Sequence, residues 1–158
     1  MDRPITMRDL LSPEAILPHL EASSKKKVLQ DLADHAAAAL GLESHSVFDV
    51  LWERERLGST GVGHGIAIPH GRIAGLPQVR ACFARLAEPI PFDSADDLPV
   101  DLVFLLLAPE SAGADHLHAL ATVSRHLRDP KLAEALRKAK DANAIYNLLT
   151  TLPTAVAA

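Results

Sequence analysis

Arg54-Glu55-Arg56-Leu57-Gly58-Ser59-Thr60-Gly61-Val62-Gly63-His64-Gly65-Ile66-Ala67-Ile68-Pro69-His70-Gly71 marks the sharpest change of composition in this chain. Six of its eight glycines fall between Gly58 and Gly75. Backbone so rich in glycine can take positive φ and approach a ligand closely. Within the stretch, Ile66-Ala67-Ile68 reads as a very short strand that delivers His70 to the end of a sheet. Pro69 fixes its own φ and stiffens the approach. Gly71 lets the chain turn away with no side chain beside the imidazole. Such a ring is held rigidly yet stays open to a partner. Neutral imidazole is nucleophilic near neutral pH, as a phosphoryl acceptor must be.

Upstream, the spacing predicts a helix from about Ser46 to Leu57, stopped by Gly58. Val47, Val50, Leu51 and Leu57 define its apolar arc. Arg54 falls inside that arc, with Asp49, Glu53 and Arg56 opposite. An inward guanidinium is costly unless paired. A phosphate gripped by two parallel donors would serve, and so would a core carboxylate such as Asp101. Earlier still, Ser23 or Ser24 caps a helix running to Leu40, with Gly41 as its stop. Its opening Lys25-Lys26-Lys27 reads as a solvated first turn. Ala15 to Leu20, interrupted by Pro18, reads as an edge strand, and Thr6 to Leu11 as a turn or short helical piece.

Downstream, Val79 to Leu86 and Val100 to Ala108 are strand-like. The second is apolar almost throughout, as expected of a central strand buried on both faces. Helices follow over Asp115 to Leu127, Pro130 to about Ala139, and, capped by Asp141, to about Leu149. Helices alternating with strands imply an α/β sandwich, one mixed β-sheet flanked by helices on both faces. The domain spans residues 1–150, and 151–158 read as a disordered tail.

The helix from Asp115 carries a second notable histidine. At about 100° per residue, His116 shares a face with Leu120, Val123 and Leu127, while His118 projects to the polar side. An inward His116 in the first turn lies where the helix favours an anion and disfavours imidazolium. It could hydrogen-bond a phosphohistidine, or be a core histidine satisfied by a carbonyl. His19, His35, His45 and His126 read as ordinary surface or boundary residues.

Composition removes several alternatives. A chain of 158 residues is one domain with a sizeable core. A formal charge of -4, with no basic stripe, argues against nucleic acid. Cys82 is the one cysteine, so no internal disulfide framework exists, and it reads as a small buried hydrophobe. Met1 to Leu11 carries charges without an apolar core, and no apolar run approaches a membrane span. The expectation is a cytoplasmic protein without membrane insertion. No G-x-x-x-x-G-K-[ST] motif occurs, and no lysine lies between Lys27 and Lys131, so a nucleotide triphosphate site is not expected. Phosphate would arrive already activated on another protein. No cofactor and no metal is expected. A metal-dependent hydrolase using His64, His70, His116 and His118 is opposed by the divergence of the last two on their helix. A pure binding module is the remaining rival.

The stretch from Arg54 to Gly71, together with Pro99-Val100-Asp101-Leu102-Val103-Phe104 and Asp115-His116-Leu117-His118-Ala119-Leu120, resembles the enzyme IIA domains of the bacterial phosphoenolpyruvate-dependent phosphotransferase system. It is most similar to the fructose/mannitol class and its nitrogen-related branch, and the resemblance runs from about Met7 to Leu149. It implies that His70 is the phosphorylated residue, at its tele nitrogen. It implies that His116 supports His70 and that Arg54 belongs to the site. Ser59, Thr60, Gly61, Gly63, Gly65 and Gly71 would form the phosphate-binding loop. His64 departs from the family pattern, where relatives often carry Asn, and could add a titrating group. The implied donor is an HPr-type phosphocarrier protein. The implied targets are regulatory proteins such as potassium transporters or sensor kinases. A sugar-transport role, donating to a separate IIB domain, is the nearest alternative.

Overall fold

A computed structural model describes residues 6–111 and 113–151. The apolar run at Val100–Pro109 forms β6, and Arg80–Ile90 forms the antiparallel β5 beside it. Val100 and Leu102 to Ala108 are almost wholly withdrawn from solvent, which is why the run needs no alternation of polar residues. Phe83 opposes Phe104 across the pair, their rings edge to face at 6.2 Å. Each such side chain fully buried contributes about 1.5–3 kcal/mol.

Ile16–Leu20, β1, adds parallel to the far side of β5. Pro18 is tolerated there because β1 is an edge strand. On the other side of β6, two short strands pair parallel in succession: β3 (Ile66–Ala67) and β4 (His70–Ile73). Gly61–Gly63, β2, folds back antiparallel on β3. The mixed sheet thus has six strands, in the order β1-β5-β6-β3-β2 with β4 also on β6. The sequence pattern shows neither β2 nor β4, since both are glycine-bearing and short.

Two long helices come before the loop: α2 (Lys25–Leu40), capped by Ser24 and closed by a left-handed Gly41, and α3 (Ser44–Leu57). They follow the short α1 (Met7–Leu10) and a 3-10 turn at Pro13–Ala15. After β6 come α4 (Ala114–Leu127), α5 (Pro130–Lys138) and α6 (Ala142–Thr151). The alternation of β4 shows that helices cover both faces. Gly71 packs on Val50 of α3, whereas His70 turns toward His116 of α4. The α/β sandwich expected from the sequence is therefore the fold. No helix among the described residues is long and apolar enough to cross a membrane. Thr151, the first residue of the expected tail, closes α6, and the rest of that tail lies outside the described residues.

The lysine run is not uniformly solvated. Lys25 bridges Glu55 at 3.1 Å and Asp93 at 3.0 Å and lies 5.0 Å from the centre of the Phe92 ring. Burial works against its charge, yet the two carboxylates prevail and hold its pKa above the ordinary value. Cys82 is buried in β5, and desolvation pushes its thiol up to about 12, far from a reactive thiolate.

Candidate functional site

His70 opens β4 and is half-buried. Its Nδ1 lies 2.8 Å from the Ile68 carbonyl oxygen. A carbonyl only accepts, so Nδ1 carries the proton and donates. The lone pair is then on Nε2, the tele nitrogen. The chain can make this bond because Pro69 stiffens the step between Ile68 and His70, and Pro69 is itself tied to β6 through Leu106 N–H at 2.9 Å.

His116 is the third residue of α4 and only 6% exposed. Its ring centroid is 5.7 Å from that of His70, the planes inclined at 63°. Its Nδ1 is buried and has no hydrogen-bond partner among the described residues. No bond fixes the tautomer, so either ring nitrogen can carry the proton. Of the two readings open for His116, the histidine satisfied by a backbone carbonyl is not what the structure shows. Gly113, before the helix, provides no side-chain cap, which leaves the first-turn amides without a side-chain acceptor.

Both rings are held neutral. Burial lowers the pKa of His70 most; Arg54 lowers it further, against the Ile68 carbonyl and Glu55, which raise it. Burial likewise lowers His116 most, with His70 and Arg72 adding to the effect. Two neutral imidazoles amid two guanidiniums suit a phosphoryl group: one nitrogen to bond phosphorus, and donors for its oxygens.

Arg54 departs from the inward placement expected of it. It is half-exposed, with Nη1 donating to the Gly58 carbonyl at 2.9 Å. Asp101, the carboxylate considered as its partner, pairs with Arg137 Nε at 2.9 Å instead. The buried stripe of α3 is Val47, Leu51 and Glu55, one residue in every four, and Leu57 is 85% exposed. Including half-buried Val50 and exposed Leu57 rotated the expected arc toward Arg54. Glu55, not Arg54, is the inward charge, and strict four-residue spacing would have found it.

The glycine-rich loop divides in two. Gly63, His64 and Gly65 lie away from His70: Ile66 is opposite Leu102 and His70 opposite Leu106, a four-residue step of about 13 Å. His64 at φ 59° and Gly65 at φ 81° form the two-residue turn between β2 and β3. Positive φ at both central positions is the type I′ pattern, which favours Asn-Gly. His is among the residues that accept this region more readily. His64 N–H donates to Asp96 at 2.8 Å, and its carbonyl accepts from Arg137 at 2.8 Å. The near part, Ser59 to Gly61, is close to His70 through Thr60, whose carbonyl accepts from Ile68 N–H at 3.0 Å. Its hydroxyls and two of its three amides are occupied, however. Thr60 N–H and hydroxyl go to Glu55 at 3.0 and 2.6 Å, Ser59 hydroxyl to the Phe92 carbonyl at 2.6 Å, and Gly61 N–H to Ser59 Oγ at 3.0 Å. The hydroxyls of this part of the loop and the Thr60 and Gly61 amides are thus committed within the fold. Gly71 serves packing, since a Cβ there would run into Val50 Cγ1.

Arg72 was missed by sequence reasoning. It is exposed, two residues beyond His70 and hence on the same strand face, and near enough to His116 to lower its pKa. The period-two rule would have selected it had His70 been read as the start of a strand. Nor do the four histidines of the hydrolase reading converge: His64 is at the far turn, and His118 is exposed beside buried His116. Among the described residues no three His, Cys, Asp or Glu form a metal-ligating group.

A mixed six-stranded sheet between helical layers thus carries two imidazoles edge to face at one strand end. The family model described as phosphoenolpyruvate-dependent sugar phosphotransferase system, EIIA 2, matches residues 9–151, and the chain belongs to that family. A nitrogen regulatory protein of Bradyrhizobium diazoefficiens is 57% identical over 155 residues, 98% of this chain and 99% of the relative. The crystal structure of nitrogen regulatory protein IIA-Ntr from Neisseria meningitidis superposes with a TM-score of 0.85 at 37% identity, covering 90% of this chain and 97% of that one. IIA mannitol from Escherichia coli shares the fold at a TM-score of 0.75 and 22% identity, over 89% of this chain and 99% of that one.

Proposed function

We propose that this protein is a phosphoryl carrier and regulator of the nitrogen-related phosphotransferase system, accepting phosphate on His70 from an HPr-type phosphocarrier. The observation that carries the reading is the state of the two rings. His70 has Nδ1 tied to Ile68 and Nε2 left as nucleophile, beside a buried His116 whose Nδ1 has no partner. In the transfer, the Nε2 lone pair of His70 bonds to phosphorus of the donor's phosphohistidine. The donor's P–N bond breaks, and its electrons stay on the donor imidazole. The donor's other ring nitrogen carries a proton, so its imidazole leaves neutral, while Nδ1–H of His70 keeps its bond to the Ile68 carbonyl. Positioning and charge carry the catalysis. His116 donates a neutral N–H to a phosphoryl oxygen, while Arg54, Arg72 and the first-turn amides of α4 offset the added charge.

A protein donor is also supported by apolar residues around the site. Leu57, ending α3, is 85% exposed, and Leu117, beside His116, is 65% exposed. Regulation then follows from charge: phosphate at His70 adds negative charge beside His116 and alters what that surface can bind. The regulatory rather than sugar-uptake reading rests on the 57% identical relative being a nitrogen regulatory protein. Phosphoenolpyruvate and its carriers are cytoplasmic, and so is this protein in our reading.

Incubation with phosphoenolpyruvate, the first enzyme of the system and the carrier, followed by intact mass, tests it. One phosphoryl group should be gained by the native chain and none by His70→Ala. Stoichiometric uptake by His70→Ala would overturn the assignment.

A further inference from the structure

We infer that Glu55 is a positioning residue for His70, acting through Thr60 and Ile68 to keep the imidazole in the tautomer whose Nε2 is free. This rests on the reading of His70 as acceptor, and it assigns a task to a buried charge that the transfer itself does not use.

Glu55 is 5% exposed on α3, a placement a carboxylate takes only when its oxygens are satisfied. Oε1 accepts the Thr60 hydroxyl at 2.6 Å; Oε2 accepts Thr60 N–H at 3.0 Å and Lys25 Nζ at 3.1 Å. Lys25 is in turn held by Asp93 at 3.0 Å. One loop residue is thus clamped by two bonds from one helix, and that helix is clamped to α2. Thr60 passes the restraint on, because its carbonyl accepts from Ile68 N–H at 3.0 Å. The Ile68 carbonyl is the acceptor of His70 Nδ1 at 2.8 Å.

Ile68 and Pro69 occupy the gap between β3 and β4, where the ladder to β6 passes from Ala67 opposite Val103 to His70 opposite Leu106. On the β6 side the gap is held by the Pro69 carbonyl and Leu106 N–H at 2.9 Å. On the opposite side it is held by Thr60. Without Glu55 that second support loses its anchor, and the Ile68 carbonyl is free to tilt from the imidazole. Nδ1 then loses its preferred acceptor, and the proton divides between the two nitrogens.

Charge gives an independent readout. The groups around His70 are Arg54 and Glu55 from α3, Arg72 from β4 and His116 from α4. Glu55 is the one carboxylate among these, and it opposes Arg54. Its neutral isostere should move the His70 titration midpoint further down.

The test is nitrogen-15 NMR of the histidine rings in Glu55→Gln, with no phosphate donor present, alongside the rate of phosphoryl acceptance. Native His70 should show a protonated Nδ1 and a free Nε2. Glu55→Gln should show a mixture, a lower midpoint, and acceptance about tenfold to a hundredfold slower. Thr60→Val, which keeps the backbone bond to Glu55 and loses the hydroxyl bond, should shift the tautomer less and leave the midpoint in place. If Glu55→Gln does not fold, Thr60→Val decides by the same spectrum. A folded variant with the native tautomer and native acceptance overturns the proposal. Because the spectrum needs no phosphate, a native chain that fails to accept phosphate refutes the function and leaves the positioning role to be judged by tautomer alone.

Discussion

The two ends of one strand segment, the turn at His64–Gly65 and the corner at His70–Gly71, begin from similar sequence and end in opposite chemical states. Each has a histidine followed by glycine. At the turn every polar group cited is satisfied within the chain: His64 N–H by Asp96, its carbonyl by Arg137, and Asp101 by Arg137 in turn. At the corner one imidazole is satisfied on a single nitrogen, and its neighbour has a buried nitrogen with no partner. Glycine is needed at both, for different reasons. Gly65 supplies a positive φ of 81°, whereas Gly71 lets β4 approach Val50. A closed hydrogen-bond ledger marks structure; an open one, held in place by its surroundings, marks reactivity.

The contrast breaks most easily at His116. His116→Ala should accept phosphate about a hundredfold more slowly, the scale of losing one preorganised donor, in an intact-mass time course. Unchanged acceptance would reduce the corner to a single ring. Next is the glycine pair. Gly71→Ala should lose about 1–3 kcal/mol in denaturant unfolding and slow acceptance, because the new methyl displaces β4 from α3. Adding Val50→Ala should restore part of both. Gly65→Ala should also destabilise, from its left-handed backbone, while acceptance stays native.

Acid should separate the ends too. His70 and His116 have pKa values below the ordinary 6.5 in the folded chain, chiefly through burial. Below 6.5 the unfolded chain therefore binds more protons, so stability should fall as pH drops through that window. His116→Gln should flatten the dependence in pH-dependent urea melts. The smallest effect belongs to His64. His64→Asn should stay within about 0.5 kcal/mol and leave transfer unchanged, whereas His64→Ala should cost about 1 kcal/mol from its φ of 59°.

How legible the molecule was depended on the range of the interactions involved. α2, with Ser24 before it and Gly41 after it, and the continuous apolar run of β6 could be read directly, because caps and periodicity are local. So could the burial of His116, from its helical face. β4 could not, since four residues containing a glycine carry no period and exist as a strand only by pairing with Leu106 to Pro109. With β4 went Arg72, and with the rotated arc of α3 went Glu55.

By itself the sequence determined the α/β alternation, the family motif, and the candidacy of His70 and His116, because residue type and near-neighbour spacing are enough for those. Only the tertiary structure decided which carbonyl holds the Nδ1 proton of His70, that the hydroxyls of Ser59 and Thr60 are already engaged, and that His64 stands apart. Ser59 and His64 find partners 33 and 32 residues away, in Phe92 and Asp96, and the His70 ring finds its acceptor two residues back only because Ile68 and Pro69 are held in the gap between β3 and β4. An extended strand separates neighbours in sequence as surely as a sheet joins strangers, and hydrogen bonds follow the second arrangement.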